Sequence, residues 1–276
     1  MKIALLQMTS GIDPAANART LVDAVAEAKR GGATMLFTPE MSGLIDRNRK
    51  RGRASVRDDA DDIVLRAVRA AAAEQGMWVS IGSLAISGAR DDGRLVNRSF
   101  LIDAQGAIAA RYDKIHLFDV DLPTGESWRE SSAYAPGELA VTAETPIGNL
   151  GLSICYDIRF PALYGALTGA GATILTVPAA FTVPTGQAHW HVLLRARAIE
   201  GGAFVIAAAQ TGLHEDGRET FGHSLVVDPW GNVLLDMGTE PGMEFCDLDL
   251  EDVGRVRGRI PAIAHRREFS LAVTTQ

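Results

Sequence analysis

Apolar side chains crowd the segment Lys2 to Met8, a run of strand length closed by the turn residues Gly11, Asp13 and Pro14. Beyond them the period changes. Leu21, Val22, Val25 and Ala28 recur on one helical face, and the doublet Gly31-Gly32 stops the helix before a second apolar run at Met35 to Thr38. This strand–helix–strand unit hands the chain to Pro39 and then Glu40. Proline cannot donate to a central ladder, so Glu40 is predicted at the strand's carboxyl end, where open α/β sheets hold their ligands. Asn48 to Arg53 reads as a basic loop, and the acidic cluster Asp58 to Asp62 opens a helix running through Glu74. Met77 to Leu84, Val96 to Ile102 and Ala107 to Tyr112 read as a three-stranded meander. Parallel and antiparallel pairings in one chain predict mixed sheets.

A long irregular stretch follows, through Pro123, Gly125, Glu130, Pro136 and Gly137, with Leu117, Phe118, Trp128 and Tyr134 as apolar anchors. Such loops in compact domains are commonly functional. Thr145 to Ile154, with a buried strand over Leu150 to Ile154, then leads into Cys155, a tight turn, and a helix with Pro161 in its first turn, closed by Gly169-Ala-Gly171. A further strand, Ile174 to Val177, ends at Pro178-Ala-Ala-Phe181. The next helix carries Trp190, Leu193, Leu194 and Ala198 on one face. Phe204 to Gln210, Leu225 to Val227, Val233 to Leu235 and Phe245 to Leu248 complete the strands, and Glu215-Asp-Gly217 marks a hairpin tip. The tail after Asp249 reads as a short helix with an irregular end.

With 276 residues, 47% apolar and 22% charged, the chain reads as one domain, 1-276. A net charge of -7 without a basic stripe argues against nucleic acid, and no apolar run has membrane-spanning length. Two cysteines, Cys155 and Cys246, make no disulfide framework, and Met1-Lys2-Ile3-Ala4 does not open a secretory leader, so the expected compartment is the cytoplasm. No metal site is expected: His189 and His191 flank Trp190 on a helical pattern, where alternate residues point apart. No cofactor is expected either, because Gly169-x-Gly171 lacks the third glycine of a dinucleotide fingerprint.

Cys155 is the residue placed to react. A helix start offers unpaired N–H groups and partial positive charge, which favour the nucleophilic thiolate; the alternative is a buried thiol acting as a small hydrophobe. No His–Asp relay of a thiol protease accompanies it, and Gly151-x-Ser153 lacks the closing glycine of a hydrolase elbow. Glu40, Lys114 and Cys155 thus stand at the mouths of different strands.

Thr38-Pro-Glu-Met41, Tyr112-Asp-Lys-Ile-His-Leu-Phe118 and Gly151-Leu-Ser-Ile-Cys-Tyr-Asp-Ile-Arg-Phe160, in this order, resemble the nitrilase superfamily of carbon–nitrogen hydrolases. Pro178-Ala-Ala-Phe181, Thr185-Gly-Gln-Ala-His-Trp190, Arg195-Ala-Arg-Ala-Ile-Glu200 and Asp228-Pro-Trp-Gly231 extend the resemblance over nearly the whole chain. Within it the chain is similar to the Nit branch, which holds ω-amidase and deaminated glutathione amidase, and Ala207-Ala-Ala-Gln-Thr-Gly-Leu-His214 resembles the latter.

The resemblance implies a four-layer α-β-β-α sandwich with mixed sheets, assembled as a homodimer or higher oligomer with the segment from about 250 to 276 at the subunit interface. It implies Glu40 as general base, Lys114 as catalytic lysine, Cys155 as nucleophile and Glu130 as supporting glutamate, with Phe181 and Thr185 lining the pocket. The oxyanion donors would be Lys114 and the Tyr156 N–H. Arg159 has the fork that grips a substrate carboxylate. Ile45 stands where some relatives carry a substrate-contacting tyrosine. The implied reaction is hydrolysis of a small carboxylate-bearing amide through a thioester. ω-Amidase action on 2-oxoglutaramate, N-carbamoyl amino-acid hydrolysis, nitrile hydrolysis and a catalytically silent binding subunit are the alternatives.

Overall fold

A computed structural model describes residues 1–121, 125 and 127–273, so Pro123 lies outside the described residues. Side chains of the first strand, Lys2–Gln7, are shared between two cores in strict alternation. Ile3 and Leu5 join one core, while Ala4 and Leu6 join the other. That alternation is the pleat of a strand buried on both faces, which is why the run lacks a polar side. Around it the first sheet runs in the order Gly242–Asp247, Lys2–Gln7, Met35–Phe37, Trp78–Ile86, Val96–Ile102, Ile108–Asp113. The second to fourth strands in that order are mutually parallel, and the remaining pairings are antiparallel.

The second sheet is built alike, in the order Val233–Asp236, Leu225–Val227, Phe204–Ala207, Ile174–Thr176, Gly148–Leu152, Thr142–Thr145, with its three central strands parallel. Helices Pro14–Arg30 and Ile63–Gln75 cover the first sheet, burying Leu21, Val25, Leu65 and Val68. Pro161–Gly169 and Val183–Gly201 bury Leu163, Leu167, Trp190 and Leu194 in the core of the second. That core includes Ile3, Leu5, Met35 and Phe37 of the first sheet, so the two sheets face each other between outer helices. The result is the expected α-β-β-α sandwich with mixed sheets.

Caps define where the outer helices begin. Asp13 accepts from the Ala15 N–H at 2.9 Å ahead of Pro14, and Asp62 accepts from the Leu65 N–H at 2.8 Å. Two local expectations are corrected. The basic segment is not a loop but a helix, Arg49–Ser55, capped by Asn48, whose side chain accepts from the Arg51 N–H at 3.1 Å. The approach to Cys155 is not one strand but a hairpin, Thr142–Thr145 against Gly148–Leu152, turned at Gly148 with φ +123°.

One close approach positions the site. A Cβ on Gly82 would stand 2.1 Å from the Thr38 carbonyl oxygen and 2.4 Å from that of Pro39. The strand Trp78–Ile86 therefore passes directly beneath the corner that delivers Glu40. Gly82→Ala is expected to lower stability by roughly 1–3 kcal/mol through overpacking and to lower turnover by moving that corner. Thermal melting alongside steady-state kinetics checks this, and an unchanged melting temperature would refute it.

Candidate active site

Each reactive side chain leaves the end of a strand. Glu40 follows Met35–Phe37, and its corner is tied down: Met41 N–H donates to Ser83 Oγ at 2.9 Å and Gln210 Nε2 donates to the Glu40 carbonyl at 3.0 Å. Lys114 follows Ile108–Asp113, its N–H donating to the Asn97 carbonyl at 2.9 Å. Cys155 opens a short 3₁₀ turn, Cys155–Arg159, after the strand Gly148–Leu152. Its φ is +49°, in the left-handed region, and its N–H donates to the Pro178 carbonyl at 2.9 Å. Glu130 enters from a 3₁₀ turn beyond the ribbon formed by Asp119–Asp121 and Ser127–Arg129.

These residues meet. Lys114 Nζ lies 2.9 Å from Glu40 Oε1 and 3.0 and 3.2 Å from the two oxygens of Glu130. Glu40 and Lys114 are only 4 and 2% exposed, so neither charge is tolerable without the other. Glu40 Oε2 accepts from the Ala180 N–H at 2.9 Å, and Glu130 Oε2 from the Phe118 N–H at 2.7 Å. The buried Cys155 lines the same cavity as Glu40, Lys114 and Glu130.

Two further residues organise the cluster and escaped the sequence reading. Asn97 donates through Nδ2 to Glu40 at 2.9 Å and to Glu130 at 3.2 Å, bracing both acids. Its only sequence signal is an amide inside an apolar strand. Asp157, fully buried, accepts from Tyr112 Oη at 2.7 Å, the Ile154 N–H at 2.9 Å and the His116 N–H at 3.0 Å, with His116 Nδ1 at 2.7 Å. It locks the nucleophile turn to the loop that carries Lys114. Both motifs holding these partners are visible in the sequence, but their contact is not.

Protonation follows from the packing. Burial pushes the Glu40 carboxyl up, but the charge and hydrogen bond of Lys114, aided by Cys155 and Asn97, hold it below the ordinary range. Burial alone would lower Lys114; the charges of Glu130 and Glu40 hold it well above its ordinary value. Burial and then the Glu40 charge push the Cys155 thiol well up, outweighing the pull of Lys114. This runs against the expectation of a thiolate favoured by the helix start: burial and the adjacent carboxylate favour the thiol form of Cys155.

The cluster opens into a cavity of about 660 Å³ that also exposes Ile45, Tyr156, Phe181 and Thr185. Arg159 stands behind two of the lining rings. Its guanidinium packs 5.8 Å from the Tyr156 ring centre and 5.6 Å from that of Phe181, bonds His189 at 3.3 Å, and does not line the cavity. Arg47 and Arg218 do line it, 5.4 and 4.7 Å from the Trp128 ring centre.

The carbon-nitrogen hydrolase family model matches residues 2–258. The chain belongs to that family. This carbon–nitrogen hydrolase is 38% identical to the deaminated glutathione amidase of Yersinia enterocolitica over 98% of this chain and 94% of that protein. Its fold matches the crystal structure of the C. elegans NitFhit protein with a TM-score of 0.89 at 38% identity, covering 96% of this chain and 65% of that one. It also matches a mutant amidase from Nesterenkonia sp. AN1 carrying acrylamide added to its active-site cysteine, with a TM-score of 0.77 at 29% identity over 95 and 98% of the two chains. The reaction is accordingly hydrolysis of a carbon–nitrogen bond, of the amidase kind. Among the described residues no helix is long and apolar enough to cross a membrane.

Alkylation of Cys155 by iodoacetamide should stay slow through about pH 8.5, the ordinary thiol value, and accelerate only above it. A rate that levels off near or below that pH would restore the resting thiolate.

Proposed function

We propose that this enzyme hydrolyses the amide of a small, carboxylate-bearing acyl compound of the deaminated glutathione type, with Cys155 as nucleophile. The observation that carries the reading is the convergence of Glu40, Lys114, Glu130 and Cys155 in one cavity. Cys155 Sγ attacks the amide carbonyl as Glu40 takes the thiol proton, and the carbonyl oxygen becomes an oxyanion. The Lys114 ammonium and the Tyr156 N–H, which has no acceptor among the described residues, receive that charge. One such donor is worth about 2.7–4 kcal/mol to a transition state. Glu40 passes its proton to the leaving nitrogen as the C–N bond breaks, releasing an amine or ammonia and leaving a thioester. It then deprotonates a water that attacks the thioester, and the proton returns to sulfur. Glu130 and Asn97 position Lys114 and Glu40 without entering the bond changes.

Substrate choice rests on the cavity wall. Arg218 is half-buried and reaches Asp216 at 3.8 Å through one terminal nitrogen, while its buried Nε has no partner among the described residues. Unsatisfied donors stacked on Trp128 suit a carboxylate, a role that passes to Arg218 and Arg47 from Arg159. A cavity of about 660 Å³ has room for an acylated dipeptide, which favours that class over 2-oxoglutaramate.

We further assign the chain to homo-oligomers in a reducing, cytoplasmic setting. Val192, Ile199 and Trp230 are 69, 53 and 51% exposed around helix Val183–Gly201, and Phe269 and Leu271 project from a C-terminal segment held to the Thr168 hydroxyl by Arg266. Apolar surface of this extent suits a partner subunit.

Cys155→Ala should reduce amide hydrolysis by at least about 10³-fold. Equal rates for variant and wild type would remove the nucleophile. Arg218→Ala should raise KM about 10-fold or more for deaminated glutathione while leaving neutral amides little changed, with Arg159→Ala having the smaller effect. The reverse order returns the carboxylate to Arg159. Light scattering should give a mass of twice 29.4 kDa or a larger multiple; a monomer would refute the assembly.

A further inference from the structure

A second cluster of ligating side chains lies away from the amidase centre. Helix Val183–Gly201 supplies His191, the turn after Glu219–Phe221 supplies His223, and the sheet-edge strand Val233–Asp236 supplies Asp236. His191 Nε2 stands 2.9 Å from Asp236 Oδ2, and His223 Nδ1 stands 2.8 Å from Asp236 Oδ1. One donor atom of each residue lies within 4.8 Å of the other two. The two imidazoles meet edge to face at 5.2 Å, and Phe221 stacks on His223 at 4.4 Å, so the rings are held in orientation.

The backbone at His223 is an independent observation. Its φ is +55°, a left-handed conformation that glycine adopts freely and a side chain with a Cβ adopts at a cost. The strain is held in place from both sides. His223 N–H donates to the Gly238 carbonyl at 2.6 Å, and Trp190 Nε1 donates to the His223 carbonyl at 2.8 Å. A glycine would relieve the strain, so what the strained position contributes is the direction of the imidazole toward Asp236.

The geometry points to a divalent transition-metal site of the zinc class formed by His191, His223 and Asp236. Two imidazole nitrogens and a carboxylate oxygen are a zinc donor set, and three protein ligands leave a fourth position for water. That position adjoins a cavity of about 470 Å³ lined by His191, His223, Gln187 and Glu219. Donors around a tetrahedral zinc lie about 3.3 Å apart, so the two rings would shift from their separate carboxylate oxygens to close, with one oxygen of Asp236, around the ion. Each neutral ring turns a lone pair to the ion, its proton moving to the other nitrogen by exchange with water. The ion would tie helix Val183–Gly201, which also carries Thr185 on the amidase cavity, to the edge of the second sheet. The expectation of no metal site weighed only neighbours in sequence. His191 and His189 do point apart, but Asp236 reaches His191 from 45 residues away.

Cobalt titration tests the site, in the Cys155→Ser variant so that no cobalt–thiolate band arises from the nucleophile. One equivalent of Co²⁺ should bind with visible d–d absorption, Zn²⁺ should displace it, and Zn²⁺ should raise the melting temperature. His223→Ala and Asp236→Asn, added to that variant, should each weaken binding by at least about 100-fold and abolish the thermal shift. Melting in EDTA establishes that each variant folds, and His191→Gln replaces either one that does not. Absence of a saturable cobalt signal, or a signal that survives all three substitutions, overturns the assignment.

Discussion

A lysine ammonium with almost no access to water sits between two carboxylates, and the architecture around the active site follows from keeping it there. Removing a charge of this kind from solvent costs several kcal/mol, and only well-made ion pairs and hydrogen bonds offset it. Lys114 finds them in Glu40 and Glu130, which come from widely separated parts of the chain. The acids in turn need partners for their remaining lone pairs, which Asn97, the Ala180 N–H and the Phe118 N–H supply. No single member is satisfied alone, so the network is either complete or expensive.

The same arrangement sets the state of the sulfur. Two carboxylates and one ammonium leave the neighbourhood short of positive charge, and burial adds to the penalty on a thiolate. A thiol protected in this way is a poor target for stray electrophiles until a substrate carbonyl is seated. Its proton has a ready acceptor in Glu40, whose carboxyl stays ionised because Lys114 is beside it. Under the proposed mechanism, one pair of charges therefore keeps the base available, the nucleophile quiet, and a cation ready for the developing oxyanion.

The sequence exposes those parts of this design that local pattern controls. Apolar runs, glycine doublets and prolines mark the strands and helices on both halves, and they place Glu40, Lys114 and Cys155 at strand ends. The helix Arg49–Ser55 stayed hidden because Arg49, Lys50, Arg51 and Arg53 give it no apolar stripe to read. Asn97 and Asp157 stayed hidden because a braced amide and a fourfold-bonded carboxylate look, in one dimension, like any polar residue. The thiol's ionisation was misjudged because its sign depends on summing opposed charges at distances that spacing does not reveal. The surroundings of Arg159 were legible only in part: Tyr156 lies in its own turn, but Phe181 and His189 reach it from other segments.

The Glu40–Lys114 ion pair and the Cys155 sulfur belong to different layers. Glu40 and Lys114 hang from the first sheet, whereas Cys155 and the Ala180 N–H that steadies Glu40 hang from the second. Chemistry here is thus a gauge of interlayer alignment. A sideways creep of one sheet by less than the width of an atom would part Glu40 from Cys155 while leaving every ladder intact, and an enzyme that works as proposed would fall silent long before it lost its shape.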